Sequence, residues 1–137
     1  MGQAVQNLTQ TVTGARPARI IGACVAADLI CVAVFVIIGR ISHDEGLSAS
    51  GLVRTGWPFV VGVVGGYIGI ALTRWPALSH AGAAVITVKT LVIGLVLRYG
   101  VARDDTPFAF VVVTVLVLAL FMFGWRALAT TALKRAR

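Results

Sequence analysis

Four long runs of apolar residues, separated by short polar segments, dominate the hydrophobic pattern of the chain. They cover residues 20–39, 55–73, 77–97 and 107–125. A helix rises about 1.5 Å per residue, so runs of this length match the hydrocarbon thickness of a bilayer, about 30 Å. The pattern therefore predicts an all-α, polytopic membrane protein with four transmembrane helices.

The segments outside the runs are polar. Residues 1–17 carry glutamine, asparagine and threonine without apolar periodicity, which predicts a disordered tail. Residues 18–130 form the predicted four-helix transmembrane domain, and residues 131–137 form a basic tail. The third run is the weakest, because Lys89 costs about 2.5–3.5 kcal/mol near the centre of a span. The Val, Ile and Leu residues around it roughly offset that cost.

Composition and charge agree with a bilayer environment. The chain is 58% hydrophobic and 12% charged, with a mean hydropathy of +0.94, whereas soluble domains carry about 25% charged residues. A net charge of +7 would suggest a nucleic-acid partner in a soluble protein. Here most cations lie at the ends of apolar runs, so we expect the lipid bilayer as partner and no nucleic acid.

The two sides of the predicted bundle differ in charge. Four spans place both termini and the connection around Arg74 on one side, which carries seven cations and no acid. The other side carries four cations beside four acids. The positive-inside rule therefore predicts a multi-pass plasma-membrane protein whose N and C termini are both cytoplasmic.

Several short motifs occur within the runs and at their ends. They are Asp28, Gly39-Arg40, Ser42-His43, Thr55-Gly56-Trp57-Pro58-Phe59 and Gly124-Trp125-Arg126. With these motifs the chain, from about Ala27 to Leu128, resembles a domain-of-unknown-function family of small four-span membrane proteins. That family is common in actinobacteria and has relatives in archaea. The resemblance implies a bacterial membrane protein with four spans, and it implies no activity, substrate or functional residue.

Asp28 and Lys89 are the acidic and basic side chains that lie deepest in the apolar runs. Their predicted depths differ by roughly 6 Å, which a lysine stem can bridge. Because an unpaired charge in hydrocarbon is costly, we predict an intramembrane ion pair between them. The pair could fix the register of two helices or serve as a proton or ion relay, and the fixed pair is favoured.

The second run carries a face of small residues in two overlapping Gly-xxx-Gly spacings. The glycines are Gly62, Gly65, Gly66 and Gly69. Small residues at this spacing allow another helix to approach closely. We therefore predict helix packing on this face, with self-association or a membrane-protein partner as its result.

Two further clusters could bind a metal ion. Cys24, Asp28 and Cys31 share one helix face and could hold a soft metal, but ordinary packing is favoured and we expect no metal. Polar residues in the two outer connections could gather a hard cation or simply form a solvated loop, which is favoured. These outer residues are His43, Asp44, Glu45, Asp104 and Asp105.

The sequence contains no Walker loop, dinucleotide fingerprint, zinc-protease motif or pair of catalytic carboxylates. We therefore predict a protein that is not an enzyme and has no cofactor. Two functions remain open. One is a structural or accessory membrane protein that packs through helix–helix contacts, and the other is a small proton- or cation-coupled transporter that uses Asp28 and Lys89. The charge asymmetry favours the first, because it indicates one fixed orientation.

Overall fold

The computed structural model describes residues 2–103 and 107–136, with side chains described at 2–4, 18–103 and 107–136. These residues form four helices, α1 (Gly2–Ser42), α2 (Ala49–Thr73), α3 (His80–Gly100) and α4 (Phe108–Arg135). Each contains a stretch long and apolar enough to cross a membrane, Ala18–Ser42 in α1 and the whole of the other three. The predicted all-α fold with four helices of spanning length is confirmed.

The helices extend beyond the apolar runs. α1 begins at Gly2, so the prediction of a disordered tail over residues 1–17 is wrong for the residues described there. Polarity alone does not end a helix, since residues such as glutamine, alanine and arginine have favourable helix propensities. α4 likewise continues through most of the basic segment 131–137 and ends at Arg135.

Serine caps fix the starts of the two central helices. The Ser48 side chain accepts a hydrogen bond from the Gly51 amide at the start of α2, and Ser79 accepts one from Gly82 at the start of α3. Such caps satisfy amides that have no partner within the helix. Because α2 begins at Ala49, earlier than the predicted residue 55, Pro58 lies inside the helix and not in its first turn.

Each helix packs against its neighbours in sequence, and α1 also packs against α4, which closes the four helices into a ring. The contacts run antiparallel, since early residues of one helix face late residues of the next. We call the end with residue 18, the α2–α3 connection and the last turns of α4 the terminal end. The end with the α1–α2 and α3–α4 connections is the loop end.

The interior of the ring is apolar, and so is much of its outer surface. Fully buried side chains include Phe59, Ile86, Leu118 and Met122. Large apolar side chains also face outwards, and Leu72 is 80% exposed. A surface of this kind is costly in water and is what a lipid environment accommodates.

The predicted glycine face packs closely against a neighbouring helix. A Cβ atom added at Gly62 would lie 2.6 Å from the Thr90 carbonyl oxygen, and one added at Gly66 would lie 2.8 Å from the Ile86 Cα. These distances are too short for any side chain, so only glycine lets the backbones of α2 and α3 approach this closely.

The other two glycines of this face meet side chains of α3. Gly65 faces Ile93, and Gly69 faces Val85 together with the stem of Lys89. All four glycines are therefore covered by α3 of the same chain. The close helix packing predicted for this face is thus formed within the chain, between α2 and α3, and self-association through it stays a prediction.

Candidate functional site: a buried carboxylate clasp

Asp28 lies at the terminal end of the ring and is completely buried. Its Oδ1 accepts hydrogen bonds from Trp125 Nε1 at 2.8 Å and from Arg126 Nη1 at 2.8 Å. Its Oδ2 accepts from the Tyr67 hydroxyl at 2.7 Å and from Arg126 Nη2 at 2.7 Å. A carboxylate offers about four acceptor positions, and all of them are used. We call these four residues the Asp28 clasp.

Arg126 makes further contacts that fix its guanidinium in place. Nε donates to the Ala77 carbonyl oxygen at 2.9 Å, and Nη1 donates to the Met122 carbonyl oxygen at 2.8 Å. The guanidinium carbon lies 4.5 Å from the centroid of the Trp125 ring, a cation–π distance. The arginine is 3% exposed, so its charge is neutralised and hydrogen-bonded inside the protein.

The clasp joins three of the four helices near the terminal end, and Arg126 links it to the α2–α3 connection. Asp28 belongs to α1, Tyr67 to α2, and the tryptophan–arginine pair to α4, while Ala77 precedes α3. Bidentate arginine–carboxylate pairs are strong and directional. Removing one partner of such a buried pair typically costs about 3–5 kcal/mol, because the other charge stays buried without compensation.

Local sequence explains why these side chains meet. Asp28 shares the inward face of α1 with Cys24 and Val32, which are also buried, at steps of four residues. Long side chains on a helix point back towards its N-terminus, so Arg126 reaches over the preceding turn and contacts the Met122 carbonyl oxygen.

Lys89 takes no part in the clasp. It is exposed on the outside of α3, and its stem lies over Gly69. The predicted ion pair between Asp28 and Lys89 is therefore not formed. The estimate of depth contained no information about helix faces, and Lys89 lies beside the buried Thr90 on a face that turns outwards.

Three members of the clasp were missed by sequence reasoning: Tyr67, Trp125 and Arg126. The position of Arg126 directly after the last apolar run is typical of a cation that sets orientation. Since α4 continues to Arg135, however, it lies inside the helix. A signal was present, because Asp28 and the Gly124-Trp125-Arg126 motif both carry the family resemblance. Without Arg126, the terminal end keeps six of its seven cations.

Neither the cysteines nor the outer polar residues are gathered into a metal site among the described residues. Cys24 and Cys31 are free thiols in α1. His43 and Asp44 are exposed, and Asp104 and Asp105 lie outside the described residues. Among the residues that the structure describes, no group of three His, Cys, Asp or Glu side chains could hold a metal ion.

Glu45, the remaining member of that cluster, forms an ion pair with Arg40 at 2.9 Å. Arg40 also donates to the Thr55 hydroxyl at 3.0 Å and to the Gly46 carbonyl oxygen at 2.9 Å. These bonds fold the α1–α2 connection back onto both helices. Arg40 thus has a structural role at the loop end that parallels the role of Arg126 at the terminal end.

The loop end also contains two cavities. One, of about 600 Å³, is lined by polar residues that include Arg40, Arg54 and Arg98. The other, of about 450 Å³, lies between α1 and α4 and extends from Arg40 to Thr114 and Val117. Arg98 also lines this cavity, and its guanidinium carbon lies 4.6 Å from the centroid of a phenylalanine ring that lines it too. The Thr114 hydroxyl is buried and has no hydrogen-bond partner among the described residues.

The fold and the clasp define a small all-helical protein with four helices of membrane-spanning length. The family described as "Protein of unknown function (DUF3054)" matches residues 25–129, and the chain belongs to that family. The matched segment includes all four clasp residues and confirms the resemblance predicted from about Ala27 to Leu128. No curated protein and no solved structure matches the chain.

Proposed function

We propose that the protein is a multi-pass plasma-membrane protein with a structural or accessory role and no enzymatic activity. One observation carries this proposal, namely that Asp28 accepts four hydrogen bonds from three other clasp residues. A carboxylate held in this way acts as a fixed tie between helices. A proton or cation relay instead needs a group that can release its partners during each cycle.

An accessory protein needs a face for its partner, and α4 offers the largest one. Only 17% of the spanning window of α4 is buried within the chain, compared with 44% for α2. Leu116 and Leu120 are 65% and 68% exposed on this helix. We propose that α4 packs against another membrane protein or against a second copy of the chain, since the glycine face is already occupied.

Site-specific photocrosslinking in intact membranes tests this role. A photoreactive residue at Leu116 or Leu120 should give one reproducible crosslinked product, whereas the same residue at Leu72 on α2, which is 80% exposed, should give none. Products of equal yield at all three positions would indicate random encounters and would contradict the proposed face on α4. The absence of a product at the two α4 positions would contradict it as well.

A second candidate is a small transporter, which the 450 Å³ cavity between α1 and α4 favours. The cavity lies at the loop end, while the Asp28 clasp joins the same two helices at the terminal end. Lys89 does not line this cavity, because it faces outwards. Proton-coupled flux in liposomes for any member of a broad solute panel, lost in Thr114→Phe, would favour transport over the accessory role.

The proposed orientation rests on the cations of the terminal end. Even without the neutralised Arg126, that end carries six cations and no further acid, whereas the opposite side balances four cations with four acids. We propose that both termini are cytoplasmic. Reporter fusions at the C-terminus should be active only with a reporter that works in the cytoplasm, and activity of a periplasmic reporter would reverse the assignment.

A further inference from the structure

An apolar groove of about 730 Å³ lies at the terminal end, between α1, α2 and the α2–α3 connection. It is lined by aliphatic side chains, which we call its floor, and by Arg74 and Trp75, which we call its rim. The floor residues are Ile20, Ile21, Ile70, Ala71 and Leu78. We call this feature the terminal groove. It is open to the surroundings of the bundle and is distinct from the loop-end cavities.

The charge around the terminal groove has one sign. Asp28 is the sole acidic residue between residue 1 and Asp44, and none occurs between Glu45 and Asp104 or after Asp105. The carboxylate of Asp28 is buried and neutralised by Arg126. Four exposed cations lie at this end on described side chains, namely Arg19, Arg74, Lys134 and Arg135. A ligand at the rim therefore meets positive charge alone.

Two rim residues suit an interfacial ligand. Arg74 forms the C-cap of α2 with a positive φ of 57°, and its side chain is exposed. Trp75 is 45% exposed, and tryptophan favours the boundary between hydrocarbon and headgroups. A groove with an apolar floor and a cationic, indole-bearing rim matches a molecule with an acyl chain and a negatively charged headgroup.

We propose that the terminal groove binds an anionic phospholipid, with one acyl chain on its floor and the phosphate near Arg74 and Arg19. Tyr67 also lines the groove, and its hydroxyl donates to Asp28. The bound chain thus contacts a member of the clasp. The proposal rests on the membrane placement proposed above but is independent of the accessory role.

Native mass spectrometry of the detergent-purified full chain tests this site. The probes are phosphatidylglycerol and phosphatidylcholine with identical acyl chains. The wild-type chain should retain one phosphatidylglycerol in preference to phosphatidylcholine. Arg74→Asn should weaken phosphatidylglycerol binding about fivefold, which corresponds to about 1 kcal/mol for one basic residue near an anionic headgroup. Asparagine is chosen because it tolerates a positive φ.

Arg103→Asn is the matched control, because Arg103 is an exposed arginine at the loop end with a similar φ of 50°. It should leave phosphatidylglycerol binding unchanged. Ala71→Trp fills the floor of the groove without changing charge and should also reduce binding, and Arg19→Gln serves as a second charge variant that lies outside the clasp.

Three results would overturn the proposal. Equal retention of the two lipids would show that the headgroup charge is not recognised. Equal losses in Arg74→Asn and Arg103→Asn would show general attraction and no site. Unchanged binding in folded Ala71→Trp would place the lipid outside the groove. None of these results depends on whether a partner protein is recovered by crosslinking.

Discussion

Two of the four helix seams of this protein are built in opposite ways. α2 and α3 meet through glycines, with backbones close enough that an added Cβ at Gly62 would lie 2.6 Å from the Thr90 carbonyl oxygen. α1 and α4 meet through the Asp28 clasp at one end and through aromatic contacts at the other, where Phe35 and Phe110 ring centroids are 6.4 Å apart. The α2–α3 seam depends on positions without side chains, and the α1–α4 seam depends on specific side chains.

This difference indicates which part of the ring a change at each seam will affect. The glycine seam is continuous and holds α2 against α3 along their length. The α1–α4 seam is fixed at the terminal end by the clasp, whereas at the loop end the contact between Phe35 and Phe110 lies beside a 450 Å³ cavity. A change at the clasp should therefore loosen α4 from the rest of the ring, while a change at the glycine seam should disrupt the central helix pair.

The largest effect is expected from breaking the clasp at one partner. Asp28→Asn should lower the free energy of unfolding by about 3–5 kcal/mol, because the Arg126 charge stays buried without its counter-charge. Unfolding by SDS titration in mixed micelles measures this loss. Asp44→Asn, at an exposed loop position, is the control and should change stability by less than about 0.5 kcal/mol. A loss as small as the control would contradict the clasp.

A smaller loss is expected from removing one donor. Tyr67→Phe keeps the ring but deletes the hydroxyl that donates to Asp28 at 2.7 Å, and hydrogen bonds to charged groups contribute about 1.5–3 kcal/mol. The same titration measures the loss. Tyr99→Phe is matched to it, because Tyr99 is 73% exposed, and should be nearly neutral. Equal effects of the two variants would remove Tyr67 from the clasp.

The glycine seam should respond to a single methyl group. Gly62→Ala should destabilise the chain by about 1–3 kcal/mol, because the new Cβ meets backbone atoms of Thr90 and α3 must move away. Gly124→Ala, in α4, is the control, since nothing lies within 4 Å of a Cβ at that position. Thermal unfolding in detergent should separate the two variants, and equal midpoints would contradict close packing at Gly62.

The smallest effect is expected at Lys89. This side chain is exposed on α3, so Lys89→Gln should change the free energy of unfolding by less than about 0.5 kcal/mol. The SDS titration used for Asp28→Asn allows a direct comparison. If Lys89→Gln were as damaging as Asp28→Asn, the two residues would share one interaction, and the outward position of the lysine would be incorrect.

Sequence predicted the features that local patterns encode. The lengths of the apolar runs gave the four helices, and the spacing of Gly62 and Gly66 marked a face for close helix packing. Prediction from sequence failed where the contacts of a side chain depended on the rotation of its helix and on residues distant in the chain. Asp28 and Arg126 are separated by 98 positions, and neither depth nor spacing indicates which faces turn inwards.

The tail predictions failed for a different physical reason. The polar composition of residues 2–17 indicated disorder, but their backbone continues the helix of the apolar run, and polarity alone does not end a helix, since glutamine has a favourable helix propensity. The same effect moved Arg126 from the predicted end of a span into the interior of α4. Because the helix continues past the apolar boundary, the position of Arg126 in the sequence did not indicate that it neutralises Asp28.

A double-mutant cycle on Asp28→Leu and Arg126→Met tests directly whether the clasp is a fixed structural tie. Each single change should cost about 3–5 kcal/mol, and the double change should cost less than the sum by about 2–3 kcal/mol, because it leaves no buried charge unpaired. Losses that simply add in the double variant would contradict the pairing of Asp28 with Arg126.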